Sequence, residues 1–378
     1  MQKNTIHRQF HFQFLHHFLQ IIKAKSLESF EITLERLNKR VEFSPIMDFL
    51  DNSSLLITGA TGSFGKKMVS RLLSEESSLK KIVIFSRDEL KQFEMQQDLK
   101  DHINFNKLRF FLGDVRDLER LKVAFKDINY VIHAAALKQV PAAEYNPFEF
   151  IKTNVLGAQN IIEASLHTPS ILKVIALSTD KAASPVNLYG ATKLCADKLF
   201  VAGNNYSGDR QLSFSVVRYG NVMGSRGSVV PFFLDFAKKN DYLPITHEDM
   251  TRFNISLDDG VSMVLWSLEN AIGGEIYVPR IPSYKVTDLA KAIGPNHKQK
   301  IVGIRPGEKI HEVMISNADS YYTIDLGDYF VITSRDAQKL RDHYISNFSG
   351  KLFPEGEEYD SGSNEKFLSV DELKKLIL

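Results

Sequence analysis

The sequence carries two pairs of titratable side chains whose spacing suits proton transfer. In Tyr189-Gly190-Ala191-Thr192-Lys193 a tyrosine and a lysine stand at i and i+4, which on a helix places them on one face. An ammonium beside a phenol favours the phenolate, so Tyr189 is expected to act as a base near neutral pH with Lys193 as its partner. Upstream lies Ser178-Thr179-Asp180-Lys181. At a strand end, Asp180 and Lys181 would enter the cleft beside Tyr189 as proton donor and acceptor. Each short pattern also has an ordinary reading, a chance surface pair for the first and a loop ion pair for the second.

A third motif supplies a place for phosphate. Thr58-Gly59-Ala60-Thr61-Gly62-Ser63-Phe64-Gly65 has the spacing G-x-x-G-x-x-G between an apolar run and a helical pattern. Gly59 suits the tight turn, Gly62 the approach of a pyrophosphate, and Gly65 close packing of helix on strand. The helix N-terminus then offers free N–H groups to the phosphates. The next run ends in Ser86-Arg87-Asp88. Ser86 and Arg87 at this tip suit a 2′-phosphate and favour NADP. Asp88, if it is the ribose-binding acid displaced by two positions, leaves NAD open. Asp114 and Val115, expected at the end of the third strand, mark the place where an adenine edge is held, although Asp114 also suits a helix cap.

These residues need a scaffold, and the pattern of the chain supplies one. Runs rich in β-branched residues at Leu55–Thr58, Lys81–Ser86, Leu108–Asp114, Tyr130–Ala135, Lys173–Thr179 and Ser213–Tyr219 alternate with helical periodicity. Phe64, Met68, Val69, Leu72 and Leu73 make one apolar helix face. Such alternation predicts an α/β fold, a doubly wound parallel sheet of Rossmann type covered on both sides. After about Pro231 the rhythm loosens. The expected organisation is an extension over 1–46, a cofactor-binding domain with the catalytic residues over 47–230, and a smaller, mainly substrate-binding domain over 231–378.

Composition excludes several classes. The chain has 378 residues, 47 Lys+Arg against 46 Asp+Glu, and a net charge of +1. The basic excess of a nucleic-acid binder is missing. Cys195 is the single cysteine, so no internal disulfide can form, which suits a reducing cytosol. No apolar run is long enough to span a membrane. Residues 1–46 differ from the rest, with no Gly or Asp and four of the eleven His. Leu27, Phe30, Leu34, Leu37 and Val41 fit one helix face behind a Ser26 cap. The segment reads as a loosely attached extension, with a partner-binding helix as the sharper alternative and Met47 as a candidate true start. Its histidines lack the carboxylate or cysteine company of a metal site, and no metal is expected.

On these residues the chain resembles the extended short-chain dehydrogenases/reductases that act on nucleotide sugars. The glycine turn, His133-Ala134-Ala135-Ala136, Asn154, the Tyr-Lys pair and Arg218-Tyr219-Gly220-Asn221-Val222 all fit. More narrowly, it is similar to the UDP-N-acetylglucosamine 4,6-dehydratases that invert carbon 5, which open bacterial pseudaminic acid synthesis. The specific pieces are Ser86-Arg87-Asp88-Glu89-Leu90-Lys91, Ala134-Ala135-Ala136-Leu137-Lys138, Ser178-Thr179-Asp180-Lys181, Gly224-Ser225-Arg226-Gly227-Ser228 and Arg305-Pro306-Gly307-Glu308-Lys309. The match runs from about Met47 to the C-terminus.

The resemblance implies roles. Thr61, Gly62, Ser63 and Phe64 would hold the pyrophosphate of NADP. Ser86, Arg87, Asp88, Glu89, Leu90 and Lys91 would hold its adenosine end, with Asp114, Val115 and Ala134 along the cofactor. Tyr189 and Lys193 would contact the nicotinamide ribose as well as the substrate. Lys138, Asn221, Val229, Thr246, Arg305 and Glu308 would hold the UDP-sugar, although Val229 and Thr246 equally suit packing. Thr179, Asp180, Lys181, Tyr189 and Lys193 would carry the chemistry. Tyr189 would take the carbon 4 hydroxyl proton as hydride leaves. Neutral Lys181 would then remove the carbon 5 proton, and protonated Asp180 would help the carbon 6 hydroxyl leave. Retaining relatives carry Glu where Lys181 stands. A cytoplasmic homo-oligomer is implied. The rival readings are a UDP-sugar epimerase, which needs only the tyrosine base, and a regulator that binds NADP without catalysis.

Overall fold

The parallel sheet expected from the alternating runs forms, and it is wider than those runs suggest. The computed structural model describes residues 48–74, 79–225 and 227–377. The extension over 1–46 and Arg226 of the glycine-rich loop lie outside the described residues. Strands β1 (Ser54–Thr58), β2 (Lys81–Ser86), β3 (Leu108–Leu112), β4 (Tyr130–His133), β5 (Lys173–Thr179) and β6 (Ser213–Tyr219) are all parallel, in the order β3-β2-β1-β4-β5-β6. Every residue of β1 and β6 is buried, as a sheet covered on both faces requires.

The covering helices include α1 (Ser63–Ser74), α2 (Glu89–Leu99), α3 (Leu118–Ala124), α4 (Gly157–Leu166) and α5 (Leu188–Gly203). Helix α3 packs on α4 and α4 on α5. Asp88, Asp117 and Asn187 accept from backbone N–H groups at the starts of α2, α3 and α5. Each thereby satisfies a donor that the first turn leaves open.

Two strands end sooner than their apolar runs. β3 stops at Leu112 rather than Asp114, because the Asp114 side chain accepts from the Arg116 N–H at 2.9 Å and turns the chain away. β4 stops at His133 rather than Ala135, because the Ala134 and Ala135 N–H groups turn to the Thr58 hydroxyl at 3.1 and 3.2 Å.

The chain beyond Pro231 does two things. α6 (Val229–Ala237), α7 (Leu257–Asn270) and α8 (Val286–Ile293) alternate with short strands: β7 (Asn221–Val222), β8 (Tyr242–Ile245), β9 (Thr251–Ile255), β10 (Ile276–Pro279), β11 (Ser283–Lys285) and β12 (Lys298–Ile301). β13 (Val313–Ile315), β14 (Thr323–Asp325), β15 (Tyr329–Ile332), β16 (Lys351–Leu352), β17 (Tyr359–Asp360) and α9 (Val370–Ile377) follow. β10 joins β6 in parallel, and β15, β14 and β16 continue the sheet antiparallel, for ten strands in all. α6, β8, β11, α8 and α9 build a separate apolar cluster around Phe233, Leu243, Ile245, Tyr284, Leu289 and Leu373, whereas Phe253, Met314, Ile315 and Tyr359 of β9, β13 and β17 pack into the main core.

Candidate active site

The glycine turn is shaped by close backbone approaches. Gly59 has φ +67°, and a Cβ there would come within 2.9 Å of the Ala135 backbone. A Cβ on Gly65 would meet the Ala60 backbone at 2.4 Å, so only glycine lets α1 start this close to β1. Thr61 is buried, and Ser63 begins α1. The unpaired N–H groups of that first turn are what a pyrophosphate requires. Opposite the turn, Thr58 Oγ1 lies 2.8 Å from Nδ1 of the buried His133. Burial, then the charge of Lys193, pulls the His133 imidazole down to about 3, so the ring is neutral. The turn and its surroundings therefore fit a dinucleotide.

At the tip of β2, the Asp88 carboxylate caps α2 and pairs with Lys91. Arg87 lies 3.7 Å from Asp114, which also binds Arg116 at 2.7 Å. Burial works against the Asp114 charge, but the Arg116 hydrogen bonds and the Arg87 charge hold its carboxyl below the usual range. Ser86 is buried and accepts from Gln92 Nε2 at 2.9 Å. Glu89 and Leu90 face solvent. Val115 is buried against Gly157.

The chemistry-bearing residues gather at the carboxyl end of β5, where ligands bind in open α/β sheets. β5 ends at Thr179, and a 3₁₀ turn over Asp180–Ala182 carries the acid and the amine. Asp180 is fully buried, and Lys181 Nζ lies 3.0 Å from its Oδ1. Burial raises the Asp180 carboxyl, Lys181 counteracts that, and Glu312 adds to it; the net shift is upward. Burial acts to lower Lys181, but the Asp180 and Glu312 carboxylates outweigh it and raise it. In this structure Lys181 is therefore an ammonium, and it must lose a proton before it can serve as a base.

Tyr189 and Lys193 do share the inward face of α5, both buried. Their relationship differs from the expectation that Lys193 brings Tyr189 near neutrality. Lys193 Nζ donates to the Leu177 carbonyl at 2.7 Å. Burial pushes the Tyr189 phenol up to about 12, and the influences that lower it are the Lys181 charge and a hydrogen bond with Thr179. A π-helical turn at Ile151–Leu156 carries Asn154, whose side chain clamps both backbone groups of Leu137 at 2.9 Å and reaches Thr192. That clamp fixes the stretch leading to Lys138. Partial burial, then the charge of Lys181, pulls the Lys138 ammonium down.

The remaining expected substrate residues spread outward. Asn221 lies in β7, paired with Asn254 of β9. Arg305 and Glu308 form an ion pair with each other. The Thr246 hydroxyl donates to Met250 Sδ at 3.0 Å, and Val229 packs on the second apolar cluster. Sequence patterns missed two residues at the centre. Glu312 Oε1 lies 3.2 Å from Lys181 Nζ, and Arg252 Nε lies 3.7 Å from the same oxygen. Neither stands in a short motif with the pair it serves, so no local signal marks it. Among the described residues no cluster could hold a metal ion, and no helix is long and apolar enough to cross a membrane.

A parallel sheet in the order 3-2-1-4-5-6, a glycine turn after β1 and an inward Tyr-Lys pair on α5 define an extended short-chain dehydrogenase/reductase fold. Within that class the chain belongs to the family described as Polysaccharide biosynthesis protein, which matches residues 55–334. It is 53% identical over 335 residues to the UDP-N-acetylglucosamine 4,6-dehydratase (inverting) of Campylobacter jejuni subsp. jejuni serotype O:23/36 (strain 81-176), covering 86% of this chain and 98% of that relative. It is 41% identical to the UDP-glucose 4-epimerase of Rickettsia akari (strain Hartford), covering 87% of this chain and 96% of that one. The X-ray structure of Pen from Bacillus thuringiensis superposes with a TM-score of 0.79 at 34% identity, covering 87% and 98% of the two chains.

Proposed function

We propose that the protein is a UDP-N-acetylglucosamine 4,6-dehydratase that inverts carbon 5, with NADP as its resident cofactor. The product would be UDP-2-acetamido-2,6-dideoxy-beta-L-arabino-hexos-4-ulose. The observation that carries this reading is the buried contact of Asp180 with Lys181 at the end of β5. An epimerase needs a base at carbon 4 and room for the sugar to turn. A dehydratase also needs an acid and a base for carbons 6 and 5, and Asp180 and Lys181 would supply them. The similarity to the Campylobacter jejuni dehydratase supports the same reading.

The cofactor would be held by Thr61, Gly62, Ser63 and Phe64, with Arg87 toward the 2′-phosphate. The commitment of Asp88 to the α2 cap and to Lys91 favours NADP over NAD. When bound, a nicotinamide would supply reversible hydride acceptance. The chain's own residues move the protons. Tyr189, once ionised to the phenolate, takes the proton of the carbon 4 hydroxyl. The ketone so formed acidifies carbon 5, where Lys181, once deprotonated, removes the hydrogen. Asp180 donates to the carbon 6 hydroxyl, which leaves as water. A proton returned to the opposite face of carbon 5 inverts that centre. One water is lost and no net oxidation occurs. Lys138, Asn221, Arg305 and Glu308 would hold the UDP-sugar. The setting would be cytoplasmic.

The test is NMR of the product formed from UDP-N-acetylglucosamine in heavy water. A 6-deoxy-4-keto sugar with deuterium at carbon 5 and inverted configuration is expected. An unchanged or merely 4-epimerised sugar without deuterium would reject the dehydratase in favour of a regulator or an epimerase respectively.

A further inference from the structure

Lys181 sits between two carboxylates that come from distant parts of the chain. Its Nζ is 3.0 Å from Asp180 Oδ1 and 3.2 Å from Glu312 Oε1. The two acid side chains are 0% and 4% exposed. Asp180 Oδ2 and Glu312 Oε2 are buried without a hydrogen-bond partner. The two buried carboxylates share one ammonium, and Arg252 lies 3.7 Å from Glu312 Oε1, so the less supported of the two is the one to take a proton.

Their surroundings are unequal. Glu312 faces three cations, Lys181, Arg252 and Lys309. Asp180 faces Lys181 and the Thr179 hydroxyl, with Lys309, Tyr189 and Tyr284 also within its field and Glu312 acting against its ionisation. Lys181 in turn faces Asp180, Glu312 and Arg252, with Lys138, Lys309, Tyr189 and Tyr284 also within its field. Resting on the dehydratase reading, we infer that Glu312 is a positioning residue that divides the roles: it is the standing anion that balances Lys181, and its charge keeps the Asp180 carboxyl protonated as the acid for carbon 6. Without it, Asp180 would have to neutralise Lys181 itself and could not donate. Glu312 touches neither reacting carbon in this scheme and works through its two neighbours.

The test is the pH profile of keto-sugar formation and carbon 5 deuterium uptake in the full-length protein. Glu312→Gln keeps the shape and removes the charge. Loss of one negative charge lowers the pKa of both neighbours, so both limbs of the bell-shaped profile move to lower pH by about one unit. Glu312→Asp restores the wild-type limbs at a reduced rate. Lys309→Gln removes a cation from the same cluster and moves the limbs to higher pH. A Glu312→Gln profile that keeps its limbs, or that falls equally at every pH, overturns the assignment while leaving the dehydratase standing. If Glu312→Gln does not fold, an unmoved Lys309→Gln profile overturns it instead. A wild-type protein that forms no keto-sugar removes both.

Discussion

Asn187 donates from Nδ2 to the Gly307 carbonyl at 2.7 Å, across 120 residues of sequence. Its Oδ1 accepts from the Gly190 N–H at 2.8 Å and caps α5. One side chain thus starts the helix of Tyr189 and Lys193 and holds the loop of Arg305 and Glu308. Asn187→Ala is expected to destabilise the protein by about 1 kcal/mol through the lost cap. It should also raise KM for the sugar nucleotide several-fold. Asn187→Asp keeps the cap acceptor but lacks the amide donor. Urea unfolding should show its stability restored, while steady-state kinetics should show KM still raised.

The residues proposed to move protons separate by isotope. Lys181→Met should stop deuterium from heavy water entering carbon 5, and normal uptake with normal turnover would remove Lys181 as the base. Tyr189→Phe should cut turnover by a factor of about 10² to 10⁴, the span of a lost acid–base group. Near-normal activity would exclude Tyr189 as the base at carbon 4.

Arg87 tests the cofactor. Its guanidinium lies at the tip of β2 beside Asp114, and a charge-assisted bond to a 2′-phosphate is expected there. In fluorescence titration, Arg87→Ala should weaken NADPH by about tenfold or more, with little change for NADH. Equal weakening of both would count against a 2′-phosphate contact.

His133 should give acid sensitivity. Its folded-state value of about 3 lies below the ordinary 6.5. The neutral ring is therefore favoured by folding. Stability is fully present above pH 6.5 and is lost as pH falls toward 3, by about 1.4 kcal/mol per unit across that window. Denaturant unfolding at pH 7 and pH 4.5 measures it. The wild type should lose on the order of 2–3 kcal/mol more than His133→Gln over that step. Parallel losses would show that His133 is not responsible.

The parts of this architecture that were legible in sequence are those decided locally. β2, β5 and β6 have the expected bounds because their central Ile, Val and Phe residues are buried and stand out from the polar segments on either side. The Tyr189–Lys193 face follows from helical spacing, and the glycine turn from its place between strand and helix. The overextended ends of β3 and β4 show the limit. Phe111 and Leu112, or Ala134 and Ala135, look the same to a pattern whether the chain stays in the sheet or turns to a side chain. The short antiparallel strands beyond Pro231 have too few residues to show a period. The Lys181–Glu312 contact depends on tertiary approach, and so does the bond that gives Lys193 to Leu177 rather than to Tyr189.

Glu312 stands immediately before β13, which is held by β17 at Tyr359 and Asp360. The Ser361 hydroxyl accepts from the Glu312 N–H at 2.9 Å. During translation, the turn bearing Asp180 and Lys181 leaves the ribosome long before the segments that brace Glu312. A nascent chain can complete its glycine turn and first six strands, yet Lys181 must wait for its braced second counter-ion until the segment around Ser361 has emerged.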